Sequence, residues 1–268
     1  FKQKTAYEML RSLVGSEMCI RDRRYMLKIL KQSIIVVTLL TTTMFAQAKG
    51  PELSYSGNIG FMSDYMYRGI HQSSSSAMGG LDLEYGGFYF GTWFADLQED
   101  GWVEGSHRGF EYDVYAGYGF NLSEAVSASI GYTIYRYTDK GASAFDDDYD
   151  EVNLGLGFAV YNDLAIAIDY AVGENTAVDQ SETDYDVLTI SADYMGIYFT
   201  VGQWGVQEDD QAKNEVDASW WEVGYSRTVG DFDLSAGFVL SEKELATGSD
   251  SAEDGDFSRF IFSMSTSF

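Results

Sequence analysis

The last nine residues of the chain constrain its fold more than any other stretch. From Phe260 to Phe268 the sequence reads Phe-Ile-Phe-Ser-Met-Ser-Thr-Ser-Phe, so positions 260, 262 and 264 are apolar or aromatic. A period of two puts side chains on one face of a β-strand. The segment is therefore predicted to be a strand with one apolar face that ends on an aromatic residue. The alternative is the amphipathic last strand of a soluble β-protein.

The same alternation recurs along the chain and predicts an all-β protein. Apolar residues alternate with small ones in residues 126–134, 152–158, 164–172 and 232–240. The second face is Gly, Ser, Ala and Asp with almost no Lys, whereas a soluble sandwich would expose charged residues there. A small polar face is typical of the interior of a barrel whose apolar face meets lipid.

Connections between the predicted strands alternate between short and long. About 12 strands are predicted, at residues 54–67, 78–86, 88–97, 109–120, 125–138, 149–160, 163–173, 184–195, 197–207, 217–228, 232–242 and 257–268. Long connections are predicted at residues 68–77, 98–108, 139–148, 174–183, 208–216 and 243–256. This pattern predicts a transmembrane up-and-down antiparallel β-barrel with short periplasmic turns and long extracellular loops.

The strand that ends the chain also bears on location and assembly. An aromatic residue closing an amphipathic last strand resembles the signal by which outer-membrane barrels of Gram-negative bacteria are recognised for insertion. The resemblance implies that the barrel-insertion machinery recognises Phe268. It also implies that the protein lies in the outer membrane, in contact with the lipid and lipopolysaccharide of that membrane.

Aromatic residues near the strand ends predict two girdles at the membrane interfaces. On the periplasmic side these are Phe120, Tyr161, Tyr194 and Phe268. On the extracellular side they are Tyr65, Tyr67, Phe94, Tyr137, Tyr149 and Trp221.

The amino-terminal region predicts export. Lys28 and Lys31 precede an apolar run over residues 34–45, and Ala46-Gln47-Ala48 is a small-x-small cleavage site. This is the pattern of a secretory signal peptide. The predicted organisation is a sequencing or adapter artefact at residues 1–25, a signal peptide at residues 26–48 and the barrel domain at residues 49–268.

The predicted barrel is strongly acidic and lacks cysteine. Residues 49–268 keep 39 of the 42 Asp and Glu residues but only nine of the 17 Lys and Arg, a formal charge of −30. Such a charge excludes nucleic acid as a partner, because phosphate binding needs clustered Lys and Arg. The single cysteine, Cys19, precedes the barrel, so no disulfide or thiol chemistry is expected.

Most of the negative charge falls in the predicted long loops. The densest clusters are Asp146–Asp148 with Asp150, and Glu208–Asp210. Neither has the spacing of a twelve-residue calcium loop. A solvated acidic rim, bridged to lipopolysaccharide by ambient magnesium, is favoured over a dedicated divalent-cation site.

Alternation places a set of charged side chains on the inner face of the predicted barrel. They are Asp64, Arg68, Asp82, Glu84, Glu111, Asp113, Asp169, Asp193, Glu222, Asp233 and Arg259. An acidic pore wall predicts a preference for cations. Large residues also point inward, namely Tyr89, Trp93, Tyr115, Tyr198, Trp204 and Trp220. Because about twelve strands leave little room, a narrow channel for small hydrophilic solutes is favoured over a sealed structural or adhesion barrel.

No enzymatic activity, cofactor or metal site is predicted. Both histidines, His71 and His107, fall in predicted extracellular loops. The run from His71 to Ser73 is similar to the His-x-Ser of outer-membrane lipid hydrolases, in which His activates Ser. Ser74 stands where those enzymes have Asn, and no third group can be assigned. A lipid hydrolase at the rim is therefore the least favoured alternative.

Residues 56–73, 79–85 and 87–93 resemble the start of the TorF family of porins. The matching positions are Ser63, Asp64, Tyr65, Arg68, Gly69, Ile70, Gln72 and Ser73. The resemblance implies an outer-membrane barrel that passes small solutes. The family name suggests a link to amine-oxide respiration, which none of these residues indicates.

Asp64 and Arg68 have an even separation on one strand, so both are predicted to face the lumen near its extracellular mouth. They are interpreted as a charge pair that braces the first loop. In the alternative, Arg68 provides one side of a transverse field opposite the acidic wall.

Overall fold

The computed structural model describes residues 52–98, 108–138, 148–161, 163–176, 182–206, 217–246 and 255–268. These residues form twelve strands and a short 3-10 turn at Lys243–Leu245. The strands are β1 (Ser54–Tyr67), β2 (Ile70–Tyr85), β3 (Phe88–Gln98), β4 (Arg108–Asn121), β5 (Val126–Tyr137), β6 (Tyr149–Tyr161), β7 (Leu164–Thr176), β8 (Glu182–Tyr194), β9 (Ile197–Val206), β10 (Ala218–Val229), β11 (Phe232–Ser241) and β12 (Phe257–Ser267). In this part of the chain no helix is long and apolar enough to cross a membrane.

Each strand pairs antiparallel with its neighbours in sequence, and β1 pairs with β12 to close a barrel. The closing ladder runs from Asn58 opposite Ser267 to Met62 opposite Ser263. The predicted twelve-stranded antiparallel barrel is thus confirmed. Two-residue turns such as Gly86-Gly87 and Met195-Gly196, with positive φ at both positions, join strands at one rim. We call this the short-turn rim and the opposite one the long-loop rim.

The two faces of the wall separate as the alternation predicts. On β12, Phe260, Phe262 and Met264 are exposed on the outside, whereas Ile261 and Ser263 are buried inside. The other strands follow the same rule, so large apolar side chains cover the outer surface. Such a surface is suited to lipid rather than to water.

The connection between β1 and β2 differs from the sequence prediction. Residues 68–77 were expected to form a long loop, but β2 begins at Ile70 and only Arg68 and Gly69 form the turn. The prediction was wrong because the serine run in this segment looks like a loop in isolation. In the barrel Ser73 and Ser76 are buried, and Ser73 and Ser74 pair with β1 across a bulge at Tyr65/Met66.

The end of this hairpin leaves the barrel wall. The β1–β12 ladder ends at Met62, and the β2–β3 ladder begins only at Met78. Between these points the strand pairing is within the hairpin itself, down to Tyr67 opposite Ile70. We call residues 63–77 the inner hairpin, because its tip, Arg68 and Gly69, contacts strands on the far side of the lumen.

Apolar packing holds the inner hairpin in the lumen. Met66 and Ile70 belong to a buried cluster with Trp220, Val239 and Leu245. Gly69 has φ +83°, and a Cβ atom there would lie 2.5 Å from the Cβ of Trp220. The turn is therefore pressed against β10 at a position where a side chain has no room.

Candidate functional site

The clearest polar contact in the lumen joins the tip of the inner hairpin to β6. Arg68 donates from Nη1 to Oε1 of Glu151 at 2.6 Å and from Nη2 to Oε2 at 3.1 Å. This paired geometry is the strong form of an arginine–carboxylate contact. The two side chains are 9% and 0% exposed, so solvent hardly screens the pair.

Wall residues complete the hydrogen bonding of Glu151. The hydroxyl of Tyr185 donates to Oε1 at 2.9 Å, while Tyr135 and the amide of Asn153 donate to Oε2 at 3.1 and 3.0 Å. These donors come from β8, β5 and β6. A buried carboxylate needs such donors, because its charge is otherwise strongly destabilising.

Aromatic rings and backbone contacts fix the other side of the arginine. The guanidinium carbon of Arg68 lies 4.8 Å from the ring centre of Tyr67 and 5.9 Å from that of Trp204, both within cation–π range. The indole N–H of Trp204 donates to the carbonyl oxygen of Arg68 at 2.9 Å. Ser241 donates to the carbonyl oxygen of Gly69 at 2.6 Å. We define the Glu151 pocket as Tyr135, Glu151, Asn153, Tyr185 and Trp204.

A second group of carboxylates lies on β4. Glu111 and Asp113 are each 1% exposed, on the inner face beside the contact of Tyr65 with Trp93. In the described structure, Oε2 of Glu111 and both carboxylate oxygens of Asp113 accept no hydrogen bond. These carboxyl oxygens are therefore buried without a hydrogen-bond donor.

The other predicted lumen residues occupy the inner face at several heights. Glu222 accepts from Tyr198 at 2.9 Å, Asp233 from Thr228 at 2.7 Å and Asp82 from Tyr115. Asp193 and Arg259 are half-buried, and Glu84 is exposed near the short-turn rim. The inward positions of Tyr89, Tyr115, Tyr198, Trp204 and Trp220 are confirmed by their burial.

A small cavity continues from the Glu151 pocket into the barrel. Its volume is about 20 Å³, enough for a water molecule. Arg68, Asn153 and Asp169 contribute to its lining, together with Tyr89 and Thr189. The space beside the ion pair is thus lined by apolar as well as polar side chains, with the carboxylate of Asp169 among them.

Asp64 and Arg68 do not form the predicted charge pair. Oδ1 of Asp64 lies 3.5 Å from Nε2 of His71 and 3.3 Å from Oγ of Ser74, on the other strand of the hairpin. Arg68 turns away to Glu151. The prediction failed because Arg68 lies in the turn after the end of β1, at a φ of +49°, where the strand period no longer sets the direction of the side chain.

The histidine arrangement is not that of a hydrolase. His71 lies on β2 rather than in a loop, which corrects the prediction; His107 lies outside the described residues. Nε2 of His71 lies 3.3 Å from Oγ of Ser74 and is the same atom that faces Asp64. A catalytic triad uses the two ring nitrogens separately. Ser73, the predicted nucleophile, is 1% exposed.

Glu151 was not among the predicted lumen residues, and several aromatic residues lie elsewhere than predicted. Glu151 alternates with Val152 and shares the inward face with Asn153, so the strand period could have identified it. Tyr65, Tyr137 and Tyr149 were expected in an interfacial girdle but are buried inside the barrel. Of the acidic loop clusters, only Asp148 and Asp150 lie within the described residues.

Solved structures with similar folds are outer-membrane porins and channels. The NanC porin aligns with a TM-score of 0.50 at 12% identity, over 80% of this chain and 99% of that one. The KdgM porin has a TM-score of 0.49 at 9% identity, over 80% and 99%. An outer-membrane channel from Pseudomonas putida F1 has a TM-score of 0.48 at 14% identity, over 84% and 97%. The NanC alignment shows that the barrel has a porin fold.

Residues 46–268 match the family described as bacterial protein of unknown function (Gcw_chp), and the chain belongs to it. No curated protein matches the chain. The name TorF stays a prediction.

Proposed function

We propose that the protein is a porin-like channel of the Gram-negative outer membrane, through which small hydrophilic solutes diffuse passively, with a preference for cations. The observation that carries this proposal is a closed twelve-stranded barrel with an apolar outside and an inside that holds several carboxylates among its aromatic and apolar side chains. In the described structure, carboxylates outnumber the inward arginines, Arg68 and Arg259, and charges that line a pore set its ion preference.

The same architecture supports an orientation. The short-turn rim faces the periplasm and the long-loop rim faces the cell exterior, as in barrels whose two termini both lie on the periplasmic side. Phe268 ends beside the short-turn rim, where its backbone N–H donates to the carbonyl oxygen of Gly57 at 2.9 Å. This position supports contact of Phe268 with the insertion machinery, and the acidity of the predicted outer loops supports contact with lipopolysaccharide.

The inner hairpin makes the path narrow. It spans the lumen from β1 and β2 to β6, β9 and β11 through Arg68 and Gly69. Solutes can cross only through the space beside the inner hairpin or after the hairpin has moved. A small conductance is therefore expected, well below that of an open barrel of more strands.

The hairpin also supports a second candidate, a sealed structural or adhesion barrel. Met66 and Ile70 bury apolar surface against Trp220, and each such side chain stabilises docking by about 1.5–3 kcal/mol. If this packing never opens, the barrel passes nothing.

Solute-driven swelling of proteoliposomes separates the two candidates. Vesicles containing the folded protein should swell in isotonic arabinose, and faster in lysine than in glutamate. Vesicles carrying heat-denatured protein provide the baseline. Folded, inserted protein that gives only the baseline rate would favour the sealed barrel.

A further inference from the structure

We propose that the Glu151 pocket is a guanidinium-binding site in the lumen, that Arg68 fills it as a tethered ligand, and that solutes with a guanidinium group bind there. The proposal deepens the channel function and rests on it only for the route by which solutes arrive. The site itself is defined by contacts in the described structure.

All five residues of the pocket belong to the barrel wall, although Tyr67 of the hairpin also donates to Tyr135 at 3.0 Å. Glu151 and Asn153 lie on β6, while Tyr135, Tyr185 and Trp204 lie on β5, β8 and β9. Hydrogen bonds from Tyr135, Tyr185 and Asn153 hold the carboxylate with both oxygens presented to one planar partner. Arg68 donates to both oxygens. The pocket therefore favours a planar guanidinium, which can donate two parallel hydrogen bonds, over a compact ammonium group.

The rings around the pocket support one another. Tyr149 stacks on Tyr135 at 4.3 Å between ring centres and meets Tyr185 edge-on at 6.1 Å. Tyr185 in turn lies 5.5 Å from Trp204. Each ring in this row packs against the next. We therefore expect the ring of Trp204 to keep its position, and its cation–π face to stay available, when the arginine is absent.

In this proposal a solute reaches the pocket from the inside of the barrel, where Arg68 borders a water-sized cavity. The cavity beside Arg68 is lined by Asn153 of the pocket and by Asp169, whose carboxylate attracts cations. Because Arg68 is covalently tethered, it competes at an effective concentration in the millimolar range. A free guanidinium therefore binds more tightly once Arg68 is removed.

The test uses the Arg68→Ala protein in detergent and methylguanidinium as the probe, with binding measured by calorimetry. Methylguanidinium should bind this variant at least about tenfold more tightly than methylammonium, which cannot make the paired contact. Adding Glu151→Gln should weaken binding at least about tenfold, because the charge-assisted pair is lost. The wild-type protein and the Arg136→Ala protein, which keep Arg68, should bind weakly.

Equal affinity of the Arg68→Ala protein and the Arg68→Ala/Glu151→Gln protein would overturn the site, as would equal affinity for methylammonium. If Arg68→Ala refolds poorly, the refolded fraction becomes the readout. It should rise with methylguanidinium and not with methylammonium, and the rise should vanish with Glu151→Gln. A rise that Glu151→Gln leaves intact contradicts the proposal.

The guanidinium-site proposal and the channel proposal can be disproved independently of each other. Binding in detergent needs no conduction, so binding without conductance overturns the channel and leaves the site. Conductance without selective methylguanidinium binding overturns the site and leaves the channel.

Discussion

Arg68 and Glu151 lie 83 residues apart in the sequence and are joined across the lumen by hydrogen bonds of 2.6 and 3.1 Å. This pair connects the tip of a hairpin that has left the wall to the opposite side of the same barrel. The lumen is therefore shaped by an element of its own wall, and the pair is the polar contact through which that element can be tested.

Replacing Glu151 by Gln should destabilise the docked hairpin. The change leaves the Arg68 guanidinium buried without a counter-charge, and breaking a buried ion pair in this way costs about 3–5 kcal/mol. Thermal unfolding should shift downward, and single-channel conductance should rise because the hairpin is released. Asp150→Asn is the matched control: its pair with Arg136 is 38% and 31% exposed, so the loss should be below about 1 kcal/mol. Similar behaviour of the two variants would contradict the role of the pair.

Gly69→Ala should destabilise the protein more than Gly230→Ala. Both glycines have positive φ, +83° and +65°, so both variants incur a backbone penalty of about 1–2 kcal/mol. At Gly69 the new Cβ also meets Trp220 at 2.5 Å, whereas nothing lies within 4 Å at Gly230. The difference between the free energies of unfolding of the two variants, measured with denaturant, gives the contribution of the contact between Gly69 and Trp220. Equal losses of stability would show that the turn is not pressed against β10.

Asp113→Asn should stabilise the barrel, the opposite sign to Glu151→Gln. Asp113 is as buried as Glu151, but neither of its oxygens accepts a hydrogen bond in the described structure. A carboxyl buried without a partner either stays ionised at a desolvation cost or must take up a proton on folding, and an amide does neither, so a gain of about 1 kcal/mol or more is expected at pH 8. The gain should be larger at pH 8 than at pH 4, because only the ionised form carries the penalty. A loss at both pH values in thermal unfolding would contradict this reading.

Neutralising lumen acids should reduce cation preference. The double change Asp169→Asn and Glu222→Gln removes two inward carboxylates, so the reversal potential in a salt gradient should move toward zero. Glu174→Gln, an exposed acid on the outward face of β7, is the control and should leave the potential unchanged. An unchanged reversal potential in the double variant would show that these inward carboxylates do not determine the ion selectivity.

Arg in place of Phe262 should destabilise the inserted barrel by about 2–4 kcal/mol, since Phe262 lies on the outward face near the middle of β12. Arg in place of Tyr55, which is exposed near the start of β1, should cost about 0–1 kcal/mol, because the penalty falls toward the interfaces. Unfolding in lipid vesicles measures both. Equal effects would contradict the membrane-spanning assignment of the outer face.

The sequence predicted the barrel well because the strand period is a local signal. The apolar positions of β12 and the small residues opposite them are readable without any partner strand. The same period could have placed Tyr137 and Tyr149 inside, since Tyr137 shares the inner face of β5 with Ser127 and Ser129. Proximity to the strand ends suggested a girdle instead, and that criterion ignores which face a residue occupies.

The inner hairpin could not be predicted in the same way. Ser73–Ser76 form strand only because β1 lies beside them, and the departure from the wall depends on apolar contacts with β10 and β11. The partner of Arg68 is likewise set by how far the hairpin reaches into the lumen. These are tertiary relationships between segments far apart in sequence, and the alternation within one strand carries no information about them.

Planar-bilayer recording of the refolded protein across a salt gradient tests the channel most directly. The account predicts small stepwise conductances with a reversal potential toward the cation equilibrium value. Silence from protein shown to be folded and inserted would contradict it, and the hairpin would then be a permanent seal.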